Sequence, residues 1–191
     1  MGNRDSGLKG YSYLAAAVVL VAAVLLAGCT SPGTGVAPPA AAKTFQPGQV
    51  LQLIGDVTGK GFIPSGVPRG TIDTITFTVA LVPGVKKVNL DNLTVIYADA
   101  LHTVTLTPVA GLIGEPPDGS WGVTSFKNQF GPANHRLDFD KQAVITVNPK
   151  AAIVPGQVIT IAVKPAEGPA LTIRCVAPST IVEGDNVLSP V

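Results

Sequence analysis

Two cysteines and two histidines are the only thiol and imidazole side chains among 191 residues. A disulfide-stapled framework is therefore excluded, and the spacing of these four residues matches no zinc site. Charge is scarce too: 13% of the chain is charged, about half the usual quarter. Coiled coils and most helical bundles are excluded on that ground and by 21 Gly and 17 Pro, which would break helices repeatedly. No sign of charge predominates either. Removing residues 1–28 takes Arg4 and Lys9 from the 13 basic residues and Asp5 from the 12 acidic ones, leaving 11 of each. Such a balance lacks the basic field that nucleic acid requires. The GxSxG, HExxH, Walker and dinucleotide fingerprints are missing as well, so the expectation is a non-enzyme with no cofactor and no metal.

What the chain does have is apolar residues, 46% of the total, and a positive mean hydropathy of +0.41. Much of the excess sits at one end. Residues 1–10 are polar with Arg4 and Lys9, and residues 14–27 are an uninterrupted run of Leu, Ala and Val. As a helix that run would reach about 21 Å, short of a hydrocarbon core of about 30 Å. A cleaved export signal fits better than a permanent membrane span.

Leu26-Ala27-Gly28-Cys29 resembles the lipobox of prokaryotic lipoproteins. In that motif small residues admit a peptidase, and the Cys29 thiol would accept the lipid, with more than one acyl chain needed for stable anchoring. The alternative reading makes Cys29 an apolar residue closing a membrane helix. Residues 29–46 are rich in Pro, Ala and Gly and cannot bury enough surface to offset their ordering entropy, which predicts an extended tether. The expected organisation is a signal or anchor at 1–28, a tether at 29–46 and a globular domain at 47–191.

Beyond residue 46 short runs rich in Val, Ile and Thr alternate with Pro, Gly, Asp and Asn. This pattern predicts eight strands, at 50–57, 72–82, 93–98, 101–107, 120–126, 143–148, 158–164 and 171–176. In the second, Ile75, Phe77, Val79 and Leu81 alternate with Thr74, Thr76, Thr78 and Ala80, giving one core face and one wetter face. Asp99-Ala100 is expected to join two strands as a hairpin, and residues 108–119 read as a long loop. Strands of this length without helices between them predict an all-β domain, a two-sheet antiparallel Ig-like β-sandwich following the N-terminal apolar segment.

Residues 72–99, IDTITFTVALVPGVKKVNLDNLTVIYAD, resemble the outer domain of archaeal flagellins, the archaellins, and residues 148–179 share that family's rhythm of Pro-Gly turn, alternating strand, Pro-x-x-Gly loop and last strand. The resemblance implies a surface domain that contacts archaellum subunits, other envelope proteins or copies of itself. Lys9-Gly10 also looks like the cleavage site of the peptidase that processes archaellins, so a filament subunit cut after Gly10 is an alternative. Against it, a helix starting at Tyr11 meets Gly28 and then Ser31-Pro32-Gly33, and interior proline costs about 3 kcal/mol. Some 27 Å of helix is too short for a filament core. A third reading is a surface lipoprotein that recognises a solute, carbohydrate or cation through residues 108–142.

Individual side chains complete the reading. Asn92-Leu93-Thr94 is the sole N-glycosylation sequon, and the family resemblance makes Asn92 a candidate. His102 is expected on a sheet face, and His135 on a solvated loop. Asp138 and Asp140 flank Phe139, a spacing that allows either a calcium site on one strand face or a plain polar edge or loop. Trp121 is expected in the core, and Cys175, the one cysteine left if Cys29 is lipidated, as a buried inert thiol.

Overall fold

In a computed structural model the described residues are 46–66, 69–112, 114–131 and 134–191, so the apolar N-terminal run, Lys9, Gly10, Cys29 and nearly all of the tether lie outside them. The described chain is all-β. Its strands are β1 (Leu51–Phe62), β2 (Thr71–Leu81), β3 (Lys87–Asn89), β4 (Thr94–Ala98), β5 (Thr103–Leu112), β6 (Ser120–Lys127), β7 (Arg136–Asp138), β8 (Gln142–Asn148), β9 (Val158–Lys164), β10 (Leu171–Val176) and β11 (Gly184–Pro190). A single 3-10 turn, Leu90–Asn92, separates β3 from β4; the Asn89 carboxamide caps it by accepting from the Asp91 amide.

The β-branched alternation does what it predicts. Ile75, Phe77 and Val79 of β2 pack with Val95 and Tyr97 of β4, Ile145 and Val147 of β8, and Ile159, Ile161 and Val163 of β9 in one core. Trp121 of β6 and Cys175 of β10 are buried in it as expected. The second face of β2 is drier than its threonines imply. Thr74 and Thr78 are buried, and Thr76 Oγ1 lies 2.9 Å from Thr146 Oγ1 across the β2–β8 pair, so neighbouring hydroxyls satisfy each other.

The two-sheet sandwich is corrected to a closed barrel. Nine strands are hydrogen-bonded in the order β1-β11-β10-β9-β4-β5-β6-β8-β2, returning to β1, and β3 and β7 form a separate two-stranded ribbon. Two strands that change partners make the closure. β5 pairs antiparallel with β4 over Thr103–Leu106 and then parallel with β6 from Thr107 onward. The switch falls between Leu106 and Thr107, and the next residue, Pro108, has no N–H to give to a continuing β4 ladder. β11 pairs with β1 from Gly184 to Leu188 and with β10 at Ser189 and Pro190.

Sequence-predicted boundaries fail at the same places. Residues 108–112 continue β5 rather than opening a loop, and β1 runs on to Phe62 because a bulge absorbs the break at Gly55 (φ 69°). β3, β7 and β11 were not expected at all.

Candidate interaction surface

Strand directions gather four connections at one end of the barrel: β2–β3, the 3-10 turn, the β6–β7–β8 connection and β9–β10. The chain also enters β1 there, since Gly48 packs near Pro169 of the β9–β10 loop. Two clefts open at this end and share Val85. The smaller, about 370 Å³, is lined by Lys87, Asn89, Asn92, Arg136, Pro165 and Glu167 among others. The larger, about 800 Å³, lies between β1 and the β7–β8 turn and includes Ile54, Pro83, Lys86, Asn128, Phe139 and Asp140.

Aromatic side chains stand out from this end into solvent. Phe130 is 95% exposed and Phe139 91%. Phe139 also holds φ 45°, and Asn128, whose carboxamide donates to Asp140 O at 3.3 Å, holds φ 57°. A bulky residue in the left-handed region pays a steric cost that burial would ordinarily repay, and Phe139 buries nothing. Its ring is thus displayed at a cost to the fold.

Behind the display sits a polar cluster. Lys141 is 5% exposed and its amine donates to Asn134 O (2.7 Å) and Asn134 Oδ1 (2.8 Å), with the Phe126 ring centroid 3.9 Å away. Burial lowers its pKa, with the charge of Asp138 opposing. His135 Nδ1 lies 2.8 Å from Asp91 Oδ1, and its ring meets Phe126 edge-on. At the opposite end Asp99 organises the β4–β5 turn, accepting from the amides of Leu101 (2.8 Å) and His102 (2.7 Å) and from the Tyr97 hydroxyl and Gln157 Nε2 (both 3.3 Å). Burial would raise the Asp99 pKa, but the two amides and the His102 ring hold it below its ordinary value. Burial and then the Asp99 charge push the Tyr97 phenol well above the usual tyrosine value.

The expected site residues fall as follows. Asn92 is exposed at the end of the 3-10 turn and lines the smaller cleft, with Thr94 exposed beside it. His102 is not on a sheet face: it lies in the exposed β4–β5 turn, because Asp99 captures its amide and ends the β4 extension before β5 begins. His135 is less solvated than its loop position implies, since Asp91 and Phe126 cover it. Asp138 and Asp140 do not share a strand face, since β7 ends at Asp138 and Phe139 turns the chain. Among the described residues no three His, Cys, Asp or Glu side chains are grouped to hold a metal. Burial pushes the Cys175 thiol up to about 11. Phe130, Phe139 and the Lys141–Asn134 contact were missed. Two of the six phenylalanines placed among Gly, Pro and Asp rather than in an alternating run were the available signal for the display.

This barrel has the archaellin-type fold, the class that the resemblance of residues 72–99 and 148–179 implied. It is similar to the archaeal flagellin FlaB1 of Methanocaldococcus jannaschii, with a TM-score of 0.55 and 18% identity over 72% of this chain and 95% of that one. Similarity to the archaeal flagellum of Methanospirillum hungatei has a TM-score of 0.49, at 18% identity over 72% of this chain and 70% of that one. Similarity to the archaellum periplasmic stator protein complex FlaF and FlaG of Sulfolobus acidocaldarius has a TM-score of 0.47, at 14% identity over 76% and 99%. No family model and no curated protein matches the chain.

Proposed function

We propose that this chain is a non-enzymatic structural protein of the cell surface, anchored at its N-terminus and presenting an archaellin-type barrel to archaellum or other envelope proteins. The observation that carries the reading is the pairing of that fold with two nearly fully exposed phenylalanines at one end, one of them held at φ 45°. Exposed aromatic side chains beside an apolar-lined cleft are what protein contacts use, and catalysis needs grouped titratable residues in a pocket instead.

Anchoring in this proposal runs through a lipidated Cys29, with 1–28 removed as signal and 29–46 giving reach to the domain 47–191. It places the barrel on the outer face of the cytoplasmic membrane, with Asn92 as a point of glycan attachment. Intact-mass and N-terminal analysis of protein extracted from membranes tests this. A lipid-bearing Cys29 is expected. A chain beginning at an unmodified Tyr11, cut after Gly10, would overturn it in favour of the filament subunit. Photo-crosslinking from position 130 in intact cells reads the partner: archaellum or envelope proteins are expected, and crosslinks to glycans alone would favour the solute- or carbohydrate-binding lipoprotein.

A further inference from the structure

Lys141 is the one charged residue buried among those described, and its two hydrogen-bond acceptors and the ring beside it are neutral, with the charge of Asp138 acting on it without an ion pair between them. Two contacts go to the same residue: Nζ stands 2.8 Å from the carboxamide oxygen of Asn134 and 2.7 Å from its carbonyl. The Phe126 ring closes the third side at 3.9 Å. An ammonium taken from water without a carboxylate partner is costly, and the usual escape is loss of the proton. Burial favours the neutral amine over the ammonium, and in its neutral form Nζ is a nucleophile held beside the Asn134 carboxamide.

We propose that Lys141 and Asn134 join in an intramolecular isopeptide bond. The lone pair of Lys141 Nζ adds to Asn134 Cγ, forming the new C–N bond. The bond from Cγ to Nδ2 then breaks, and Nδ2 leaves as ammonia after taking up the proton that Nζ sheds. Nothing is oxidised or reduced, and no co-reactant is consumed. Asp138, the carboxylate whose charge acts on Lys141, is assigned the transfer of the proton between the two nitrogens. The other charged groups nearby are committed or turned outward: His135 and Asp91 face each other at 2.8 Å, and Asp140 is exposed on the turn. Holding amine and carboxamide in contact replaces an encounter between separate molecules, which accounts for reaction of an otherwise inert amide.

The product suits the site. A neutral amide replaces the buried ammonium beneath Phe126, and the covalent closure runs from residue 134 to residue 141 across β7, the strand that holds the β3–β7 ribbon and the turn displaying Phe139. The β3–β7 ribbon gains a cross-link that needs no cysteine. The inference stands on the cluster itself and is independent of which partner the barrel binds.

The test is mass spectrometry of the folded full chain. The cross-linked chain is lighter by one ammonia. After denaturation trypsin cuts at Lys127, Arg136 and Lys150, and the expected product is one branched species holding peptides 128–136 and 137–150, uncut at Lys141. Free 128–136 at full mass, with cleavage after Lys141, overturns the proposal. A linear 128–136 short of ammonia overturns it too, because that is a succinimide at Asn134-His135. N134A and K141R should each restore the full mass. Should K141R fold poorly, D138N changes only an exposed carboxylate and is expected to accumulate unlinked chain; linkage as complete as in the parent overturns the role of Asp138.

Discussion

Gly61 of β1 lies against Asn186 of β11 so closely that a Cβ on Gly61 would stand 2.5 Å from Asn186 Nδ2 and nearer still to the Val182 carbonyl. Asn186 cannot retreat. Its carboxamide accepts from the Val182 amide (2.9 Å) and donates to Val182 O (2.8 Å) and Gly184 O (2.9 Å), pinning the turn that leads into β11. Gly61→Ala therefore forces backbone to move at the seam where the barrel closes, and should cost about 1–3 kcal/mol. Gly114→Ala meets nothing within 4 Å and should stay within about 0.5 kcal/mol of the parent. Urea unfolding of the two variants checks the pair; equal midpoints would mean that the β1–β11 seam carries no stability.

That seam also marks where sequence reading ran out. β9 and β10 appear at their expected bounds because VITIAVK and LTIRCV alternate apolar and polar over six or seven residues. β11, GDNVLSP, carries turn residues, and its buried Asn186 is there through hydrogen bonds to backbone rather than apolarity. β3 and β7 are three residues each, too short for a period of two to show. Barrel closure is a long-range fact: partner exchange by β5 depends on where β4 and β6 lie, and Pro108 is its only local trace. The Lys141–Asn134 contact is likewise invisible in the sequence, since it needs the β7–β8 turn to bring back a residue seven positions earlier.

Asp99 predicts an acid limb. Its folded pKa is depressed, so its contribution to stability is present above the unfolded value, about 3.9, and is lost as pH falls through the folded value. Stability of the parent should decline below about pH 4 more steeply than that of Asp99→Asn, which keeps an acceptor for the turn amides but cannot titrate. Asp99→Ala loses the acceptor altogether and should cost about 1–3 kcal/mol at neutral pH. Thermal melts across pH 2–7 check both; parallel pH curves for parent and Asp99→Asn would remove Asp99 from the account.

Cys175 predicts a latent thiol. With burial holding its pKa up to about 11 and its side chain in the core, both thiolate and access are lacking in the folded chain. Labelling by a maleimide at pH 8, in protein lacking the first 28 residues with Cys29 changed to Ser, should proceed only as fast as the barrel opens and should jump on denaturation. Rapid labelling without denaturant would show that β10 is accessible.

Phe139 separates stability from display. Its ring touches too little to stabilise the turn, while φ 45° charges the backbone for holding it. Asn tolerates that conformation, so Phe139→Asn should leave the barrel unchanged or up to about 1 kcal/mol more stable. Phe130→Ser, at a side chain equally exposed, should be neutral within about 0.5 kcal/mol. If the two rings exist for contact, the double variant should melt no lower than the parent and still lose most photo-crosslinks made from position 86 at the mouth of the larger cleft. Undiminished crosslinking by a stable double variant would move the partner surface elsewhere on the barrel, and a fall in melting temperature would mean that the rings serve the fold after all.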